Sequence, residues 1–299
     1  MSAPAGEWSP GRSATIVALA ALCFATSGPL ARLAAPAHPL LIAAGRTALA
    51  SGLLFAAAPG ATVRGFAALP ARQRGAVLGV GVLLAAHFGL FLGGLALTSF
   101  AAAVTLVSLE PIAVVLVAWV AFGTRPRALE AVGVALATAG AVATASSGSA
   151  EHRLVGDVMV LGAVLLYGLY VGAARGLRDA LPAGAYAATV YGSSALTLSL
   201  VCLALTTGGL HFSAPPHSLL AIAALAVVPT LGGHTLVQWA ARHVPPAVVA
   251  LVSPGETIGS LLIGAALLGQ SPNRHEAAGA GLVLAGVAAT LVAQRRAAP

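Results

Sequence analysis

The sequence has no lysine, and only 8% of its residues are charged, whereas 59% are hydrophobic. A soluble chain of 299 residues could neither bury so much apolar surface nor cover itself with so few charges. We therefore predict an all-α integral membrane protein with the lipid bilayer as a partner, since helices satisfy their own backbone hydrogen bonds in lipid. Ten spans of about 20 residues each would use nearly the whole chain. Residues 1–299 are thus expected to form a single membrane domain.

Cysteine and recognisable catalytic motifs are also scarce. Cys23 and Cys202 both lie in apolar segments, which favours two small buried side chains over a disulfide or a metal site. The sequence contains no H-E-x-x-H, G-x-S-G, Walker or C-x-x-C motif. These absences exclude an ATP-driven pump within the chain. We expect a protein that is not an enzyme and that uses no cofactor or metal ion.

The net charge of +7 is the balance of 15 arginines against eight acidic residues, and the arginines mostly stand singly or in pairs near the ends of apolar segments. This distribution is typical of membrane topology signals and argues against a nucleic-acid partner. The apolar segments predict ten transmembrane helices, at 13–33, 39–58, 75–97, 100–122, 128–147, 155–175, 184–207, 218–240, 246–269 and 276–294. With the N-terminus inside the cell, 11 of the 15 arginines fall in cytoplasmic loops or tails. We therefore predict a multi-pass protein with both termini cytoplasmic.

The stretch 99–145 recurs near the C-terminus at a constant offset of 146 residues. The matching pairs are Glu110 with Glu256, Gly123 with Gly269, Pro126 with Pro272, Glu130 with Glu276, Gly133 with Gly279 and Gly140 with Gly286. The sequence has six glutamates, and four of them pair at this one offset. We interpret the match as an internal duplication, with a first five-helix repeat at 13–147 and a second at 155–294.

Because five is an odd number, two repeats of five spans must cross the membrane in opposite orientations. The duplication therefore predicts two inverted five-helix repeats. This architecture is typical of secondary transporters, whose binding sites lie near the bilayer midplane between the copies. The pattern alone thus favours the transport of a small molecule by alternating access.

The repeated glutamates are the first candidates for the binding site. Glu110 lies about half-way along the fourth span and is followed by Pro111. Glu256 takes the matching place in the ninth span, after Pro254 and Gly255. A carboxylate costs roughly 2.5–3.5 kcal/mol at the centre of a bilayer, and a proline removes a backbone donor, so an irregular backbone is expected beside each glutamate. We interpret the pair as binding a proton or a substrate amine; the alternative is a protonated glutamate that bridges two helices.

Two histidines and a glutamine extend this candidate site. His87 and His234 occupy matching positions to within one residue, and Gln238 shares a helix face with His234. These side chains are expected to orient substrate or to relay protons. The alternative for each imidazole is a neutral ring that donates to a neighbouring carbonyl. Pro229, just before His234, predicts a kinked or locally opened helix.

Arg46, Ser27 and Tyr170 complete the candidate set. Arg46 lies within the second span, where it could bind a substrate carboxylate, pair with Glu110, or snorkel to the external interface. Ser27 and Tyr170 lie in spans one and six, among small residues that could line a substrate path. The alternative for that pair of segments is close helix packing through the small residues.

The repeated motif resembles that of the EamA family of the drug/metabolite transporter superfamily, over about residues 13–294. The matching positions are Glu110–Pro111, Gly123, Gly133, Gly140, Gly269, Gly279 and Gly286. The chain departs from the family pattern at Thr124 and Gln270, where a glutamate is usual, and at Glu256, which follows its proline. The resemblance implies a secondary transporter of the bacterial-type inner membrane, often an exporter of amino acids or other small metabolites. It also implies a central cavity lined by spans one, three, four, six, eight and nine.

These features predict proton-coupled efflux of a small polar metabolite such as an amino acid, with protons and the substrate as partners. One alternative is a proton-independent metabolite exchanger or facilitator. A second is a non-transporting membrane sensor or a membrane enzyme, which would need a catalytic constellation or a soluble partner domain that the sequence lacks. The substrate's identity and the oligomeric state are left open.

Overall fold

The computed structural model describes residues 10–122, 127–146, 153–177, 180–237, 240 and 252–295, whose regular structure is helical throughout. Six helical stretches are long and apolar enough to cross a membrane: Thr15–Leu33, Pro39–Ala57, Ala71–Leu97, Ala183–Thr207, Pro216–Val237 and Arg274–Ala293. Three shorter apolar helices accompany them, at Ala128–Thr144, Leu154–Tyr170 and Val252–Leu268. The prediction of an all-α membrane protein is confirmed, whereas the count of ten spans stays a prediction.

The helices follow the predicted spans closely. Those of the first half of the chain are α1 (Pro10–Ala25), α2 (Ser27–Leu33), α3 (Pro39–Ala57), α4 (Pro59–Ala68), α5 (Ala71–Leu97), α6 (Phe100–Val107), α7 (Glu110–Phe122) and α8 (Ala128–Ala145). Those of the second half are α9 (Leu154–Gly176), α10 (Ala183–Thr207), α11 (Pro216–Leu225), a π-helical segment (Ala226–His234), α12 (Val252–Leu268) and α13 (Arg274–Arg295). Helices α3, α4 and α11 each begin at a proline, which has no N–H group to leave unpaired there.

Helix α4 lies where the sequence predicts only a loop between the second and third spans. It begins at Pro59, has mostly exposed side chains and buries Thr62, and it packs against α10. A search for long apolar runs finds membrane spans, but it does not find a short helix with an exposed surface. Helix α5 also begins at Ala71, slightly before the predicted start of the third span.

Two predicted spans are each divided by a short break. Helix α1 ends just before Thr26, whose hydroxyl donates a 2.7 Å hydrogen bond to the carbonyl of Cys23. Helix α6 ends at Val107 and α7 begins at Glu110, so Pro111 lies in the first turn of α7. A proline is tolerated there because the first N–H groups of a helix have no helical partner. The irregular backbone expected beside Glu110 is therefore present as a break in the helix. The irregularity expected beside Glu256 is not, because the helix Val252–Leu268 continues through Pro254, which lies in the first turn of its described part.

Within the eighth predicted span, the helix changes from α-helical to π-helical between Ala226 and His234, a segment that contains Pro229. The hydroxyl of Thr230 donates a 2.8 Å hydrogen bond to the carbonyl of Leu225, five residues earlier. Pro229 has no N–H group to donate within the helix, and the wider π-helical turns accommodate it. The local opening expected from Pro229 is present.

Glycines allow helices α8 and α13 to pack antiparallel at close range. A Cβ atom added at Gly140 would lie 2.7 Å from the carbonyl oxygen of Gly279, and one added at Gly286 would lie 2.5 Å from that of Gly133. Helices α5 and α9 approach in the same way, because a Cβ at Gly94 would lie 2.6 Å from the carbonyl oxygen of Gly156. Small residues at such contacts are typical of helix association in membranes.

Candidate functional site

An interior cavity of about 30 Å³ brings together five of the predicted site residues: Ser27, His87, Glu110, His234 and Glu256. Apolar and aromatic side chains complete its lining, namely Phe24, Phe88, Phe91, Val107 and Tyr167. The lining comes from predicted spans one, three, four, six, eight and nine, which are the spans implied by the family resemblance. The volume is enough for one or two water molecules.

Glu110 and Glu256 reach this cavity from two different helices. Glu110 is the first residue of α7, and Glu256 lies near the start of the described part of α12. Both side chains are partly exposed, and their charges lie close enough to interact. Two ionised carboxylates that face one small cavity repel each other, and a proton or a cationic group between them removes the repulsion.

The break between α6 and α7 leaves carbonyl groups of α6 without helical partners. Hydroxyl groups of α12 satisfy two of them. Thr257 donates to the carbonyl of Val104 across 3.0 Å, and Ser253 donates to that of Val107 across 3.3 Å. These bonds hold α12, which carries Glu256, next to the helix break that lies just before Glu110.

Arg46 is 1% exposed and lies behind the cavity wall. Its Nε atom donates to the hydroxyl of Thr230 across 2.9 Å, and its Nη1 atom donates to that of Ser27 across 3.4 Å. The guanidinium carbon lies 4.2 Å from the ring centroid of Phe88, within the range of a cation–π contact. The side chain therefore does not snorkel to the interface, and these hydrogen bonds go to hydroxyl groups rather than to Glu110.

His87 and His234 both line the cavity but have different neighbours. The Nδ1 atom of His87 lies 2.9 Å from the carbonyl oxygen of Ala163. Since a carbonyl only accepts, Nδ1–H donates, and the lone pair of the neutral ring is then on Nε2. His234 makes edge-on ring contacts with Phe24 and Phe88, at centroid distances of 4.7 Å and 5.4 Å. His87 thus makes the carbonyl bond that the alternative interpretation expected, while its ring still borders the cavity.

The tyrosine that reaches the cavity is Tyr167 rather than Tyr170. Tyr170 is 2% exposed and lies behind the lining, with its ring centroid 5.9 Å from that of Tyr167 and 6.3 Å from that of His234. The sequence identified the helix face, because the two tyrosines are three positions apart, but not the ring that borders the cavity. Gln238, predicted to lie beside His234, falls outside the described residues.

The phenylalanines of the lining carried no signal in the sequence, because a phenylalanine in an apolar span is expected whether or not it borders a cavity. Phe88 nevertheless lies between Arg46 and His234 and contacts both. Such a ring excludes water from the space around the charged groups, which strengthens the electrostatic interactions there.

The site has more carboxyl groups than guanidinium groups. Arg46 lies close enough to Glu256 for their charges to interact, and Glu110 adds a second carboxyl group. With both glutamates ionised, the group carries one net negative charge. It can therefore hold one proton or one cationic group such as an ammonium. In the described part of the chain, no group of three His, Cys, Asp or Glu side chains is arranged to hold a metal ion.

Comparison with known proteins agrees with this architecture. A search of curated proteins finds no match. A solved crystal structure, described only as that of a protein, superposes with a TM-score of 0.66 at 22% sequence identity, over 97% of this chain and 100% of the other. At that identity the similarity shows the fold alone. The EamA-like transporter family matches twice, over residues 12–146 and 154–292. Since these matches cover most of its length, the chain belongs to the EamA-like transporter family, within the drug/metabolite transporter superfamily of membrane transporters.

Proposed function

We propose that the chain is a secondary active transporter that exports small polar metabolites, amino acids or related compounds, in exchange for protons. The observation that carries the proposal is that Glu110 and Glu256, one from each family match, face the same interior cavity. The protein acts in a bacterial-type inner membrane, with both termini in the cytoplasm and the substrate moving between the two repeats.

Contacts between the repeats support an inverted arrangement. A Cβ atom at Gly133 would meet the hydroxyl of Thr290, and a Cβ atom at Gly279 would meet that of Thr144. The two contacts are equivalent under the offset of 146 residues, as expected when a two-fold axis relates the copies. Ser253, which donates to the carbonyl of Val107, is also offset from it by 146 residues. Transporters built this way bind their substrate near such an axis, at the bilayer midplane.

Exchange follows from the charges of the site. With Arg46 nearby, the two glutamates hold one net negative charge, which one proton or one substrate ammonium group neutralises. Binding of one therefore competes with binding of the other. When the site opens to each side in turn, a proton enters from outside as the substrate leaves. His87 and His234 border the same cavity and orient the substrate or relay the proton.

The size of the cavity supports alternating access. About 30 Å³ accommodates water but not an amino acid, whereas pockets for small molecules measure about 300–1,000 Å³. Entry of a metabolite therefore requires the two repeats to separate around the cavity. The helix breaks at Thr26 and at Leu109, each next to a lining residue, provide positions where the backbone can bend.

The test is flux of labelled amino acids and small amines in proteoliposomes, with and without an imposed pH gradient. Glu110→Gln keeps the shape of the side chain but removes its charge, so the variant is expected to lose gradient-driven flux. Glu130→Gln is the matched control: Glu130 accepts from the backbone N–H of Arg127 at the start of α8, outside the cavity, and a glutamine retains that bond. Gradient-driven flux that persists in Glu110→Gln would remove this residue from coupling. Flux that ignores the gradient in the unmodified chain would favour the proton-independent exchanger.

A further inference from the structure

Helix α4 joins α3 to α5 at one end of the bundle, and the arginine distribution predicts that this end faces the cytoplasm. One face of the helix is turned to the protein, since four positions at helical spacing are not exposed: Thr62, Gly65, Phe66 and Leu69. A Cβ atom at Gly65 would lie 3.0 Å from Cδ2 of Leu181, just before α10. These contacts hold α4 against the bundle and leave its other face open.

The open face of α4 is apolar apart from one arginine. Val63 is 57% exposed, and Ala67 and Ala68 are exposed as well. Arg64 lies on the same open side, and its guanidinium group follows the helix backwards, because a Cβ atom at Gly60 would lie 3.0 Å from its Nη1 atom. Apolar and basic side chains on one short surface helix are typical of helices that lie in a membrane interface.

Two further arginines lie in the first turn of α5. Arg72 and Arg74 are both exposed, and the predicted third span begins directly after them. The helix has 27 residues, and at 1.5 Å per residue it is about 40 Å long, whereas the hydrocarbon core of a bilayer is about 30 Å thick. Since α5 is longer than this core, its first turn lies at the depth of the phospholipid headgroups.

These two arginines occupy an electrostatically unfavourable place. The N-terminus of a helix carries a partial positive charge, which favours acidic side chains and disfavours basic ones. Helices α8, α9 and α13 follow this rule, with Glu130, Asp157 and Glu276 in their first turns. The first turn of α5 has no acidic residue, and its N-cap residue, Pro70, makes no side-chain hydrogen bond. A bound anion would relieve the repulsion between the arginines and the end of the helix.

Neighbouring helices supply no acidic side chain to this surface. The sequence contains no aspartate or glutamate between Glu7 and Glu110, and α10, which packs against both α4 and α5, contains none either. Helix α9 also packs against α5, but its acidic residue, Asp157, accepts a hydrogen bond from Thr98 at the opposite end of α5. Within the described helices, the counter-charge for this surface must therefore come from the surroundings of the protein.

We infer that the open face of α4 and the first turn of α5 form a surface that binds anionic phospholipid headgroups. Phosphate oxygens accept from the guanidinium groups of Arg64, Arg72 and Arg74, while the apolar part of the lipid covers Val63. A lipid fits better than a soluble anion, because the arginines lie on an open surface beside exposed apolar side chains. The inference does not rest on the proposed transport activity.

Quenching of a local fluorophore by labelled lipids tests the inference. A bimane group is attached to the variant Gln73→Cys, at an exposed position between the two arginines of α5, after Cys23→Ala and Cys202→Ala have removed the natural thiols. The full chain is reconstituted in phosphatidylcholine liposomes with a small fraction of doxyl-labelled phosphatidylglycerol or doxyl-labelled phosphatidylcholine. The anionic lipid should associate at least fivefold more strongly, since one arginine near an anionic headgroup contributes about this factor.

Two double variants of this labelled chain show whether the arginines are responsible. Arg72→Gln with Arg74→Gln should lower the preference for the anionic lipid about fivefold or more. Arg153→Gln with Arg274→Gln is the matched control, because it removes the same charge from two exposed arginines at the starts of α9 and α13. The control should keep the preference within twofold. In neutral detergent without lipid, the first double variant should unfold at the same temperature as the unmodified chain or higher, since it removes cations from a helix N-terminus.

Glycerol phosphate, added at constant ionic strength, distinguishes the lipid from a soluble anion and should leave the preference unchanged. The inference is overturned if glycerol phosphate abolishes the preference, or if the two labelled lipids quench equally in the unmodified chain. It is also overturned if both double variants lose the preference to the same extent, or if the first of them unfolds at a lower temperature in detergent alone. None of these results depends on whether the chain transports a substrate.

Discussion

The Nε atom of Arg46 donates a 2.9 Å hydrogen bond to the hydroxyl of Thr230, across 184 positions of the chain. Arg46 lies in the first segment matched by the family and Thr230 in the second. The same hydroxyl donates to the carbonyl of Leu225 within the π-helical segment. The buried cation behind the candidate site is therefore tied to the irregular helix that carries His234.

Replacing Arg46 with lysine should destabilise the protein by about 1–2 kcal/mol. Lysine keeps the charge but has one nitrogen, which cannot reach Thr230 and Ser27 with the geometry of a guanidinium group. The measurement is thermal unfolding in detergent micelles. Arg64→Lys, at an exposed position of α4, should leave the midpoint unchanged. A double-mutant cycle with Thr230→Ala should show coupling between the two positions, and additive effects would contradict the bond.

Gly279→Ala should destabilise the protein by about 1–3 kcal/mol through overpacking. The added Cβ would press against the Thr144 hydroxyl and lie 2.8 Å from the carbonyl oxygen of Gly140. Gly281, on the same helix, has open space around its Cβ position, so Gly281→Ala is the control. Equal unfolding midpoints for the two variants would show that α8 and α13 do not pack as described.

Ser99→Ala should also destabilise the protein, by about 1–3 kcal/mol, because it leaves a buried carboxyl group with one donor fewer. The Ser99 hydroxyl donates to Glu276, which is 3% exposed, and accepts from the backbone N–H of Ala102 at the start of α6. Ser99→Thr keeps the hydroxyl and should recover most of the loss. If alanine and threonine variants unfold alike, the link from α6 to α13 contributes nothing measurable.

His38 lies outside the membrane-spanning segments, and partial burial lowers its pKa below the ordinary value. The folded state thus favours the neutral ring, and the stability that this contributes is present above about pH 6.5. It is lost as the pH falls through the lowered pKa of the folded protein. An NMR titration of the ring protons should give a midpoint below 6.5, and a midpoint at or above this value would contradict the described burial. The variant His38→Asn should show a weaker loss of stability between pH 7 and pH 5.

Several features of the candidate site could be predicted from single positions in the sequence. A carboxylate half-way along an apolar span has few roles, and its recurrence at a fixed offset identified Glu110 and Glu256 as a pair. The missing backbone N–H group at Pro111 and at Pro229 likewise predicted an irregular helix at these two positions. These inferences depend only on the position of a residue along its span and on the local hydrogen-bonding pattern of a helix.

The sequence by itself determined that the chain folds as helices surrounded by lipid, because composition carries that information. It also determined the approximate helix positions and the acidic residues that recur, because these depend on short-range spacing. Only the tertiary structure decided that Arg46 bonds to Thr230 and Ser27 and that Tyr167, not Tyr170, borders the cavity between the glutamates. It also decided that His38 and His211 line one cavity of about 410 Å³. Spacing along a helix fixes which residues share a face, but not the rotation of that helix against its neighbours. That rotation is set by close contacts between small residues far apart in the chain, such as Gly140 and Gly279.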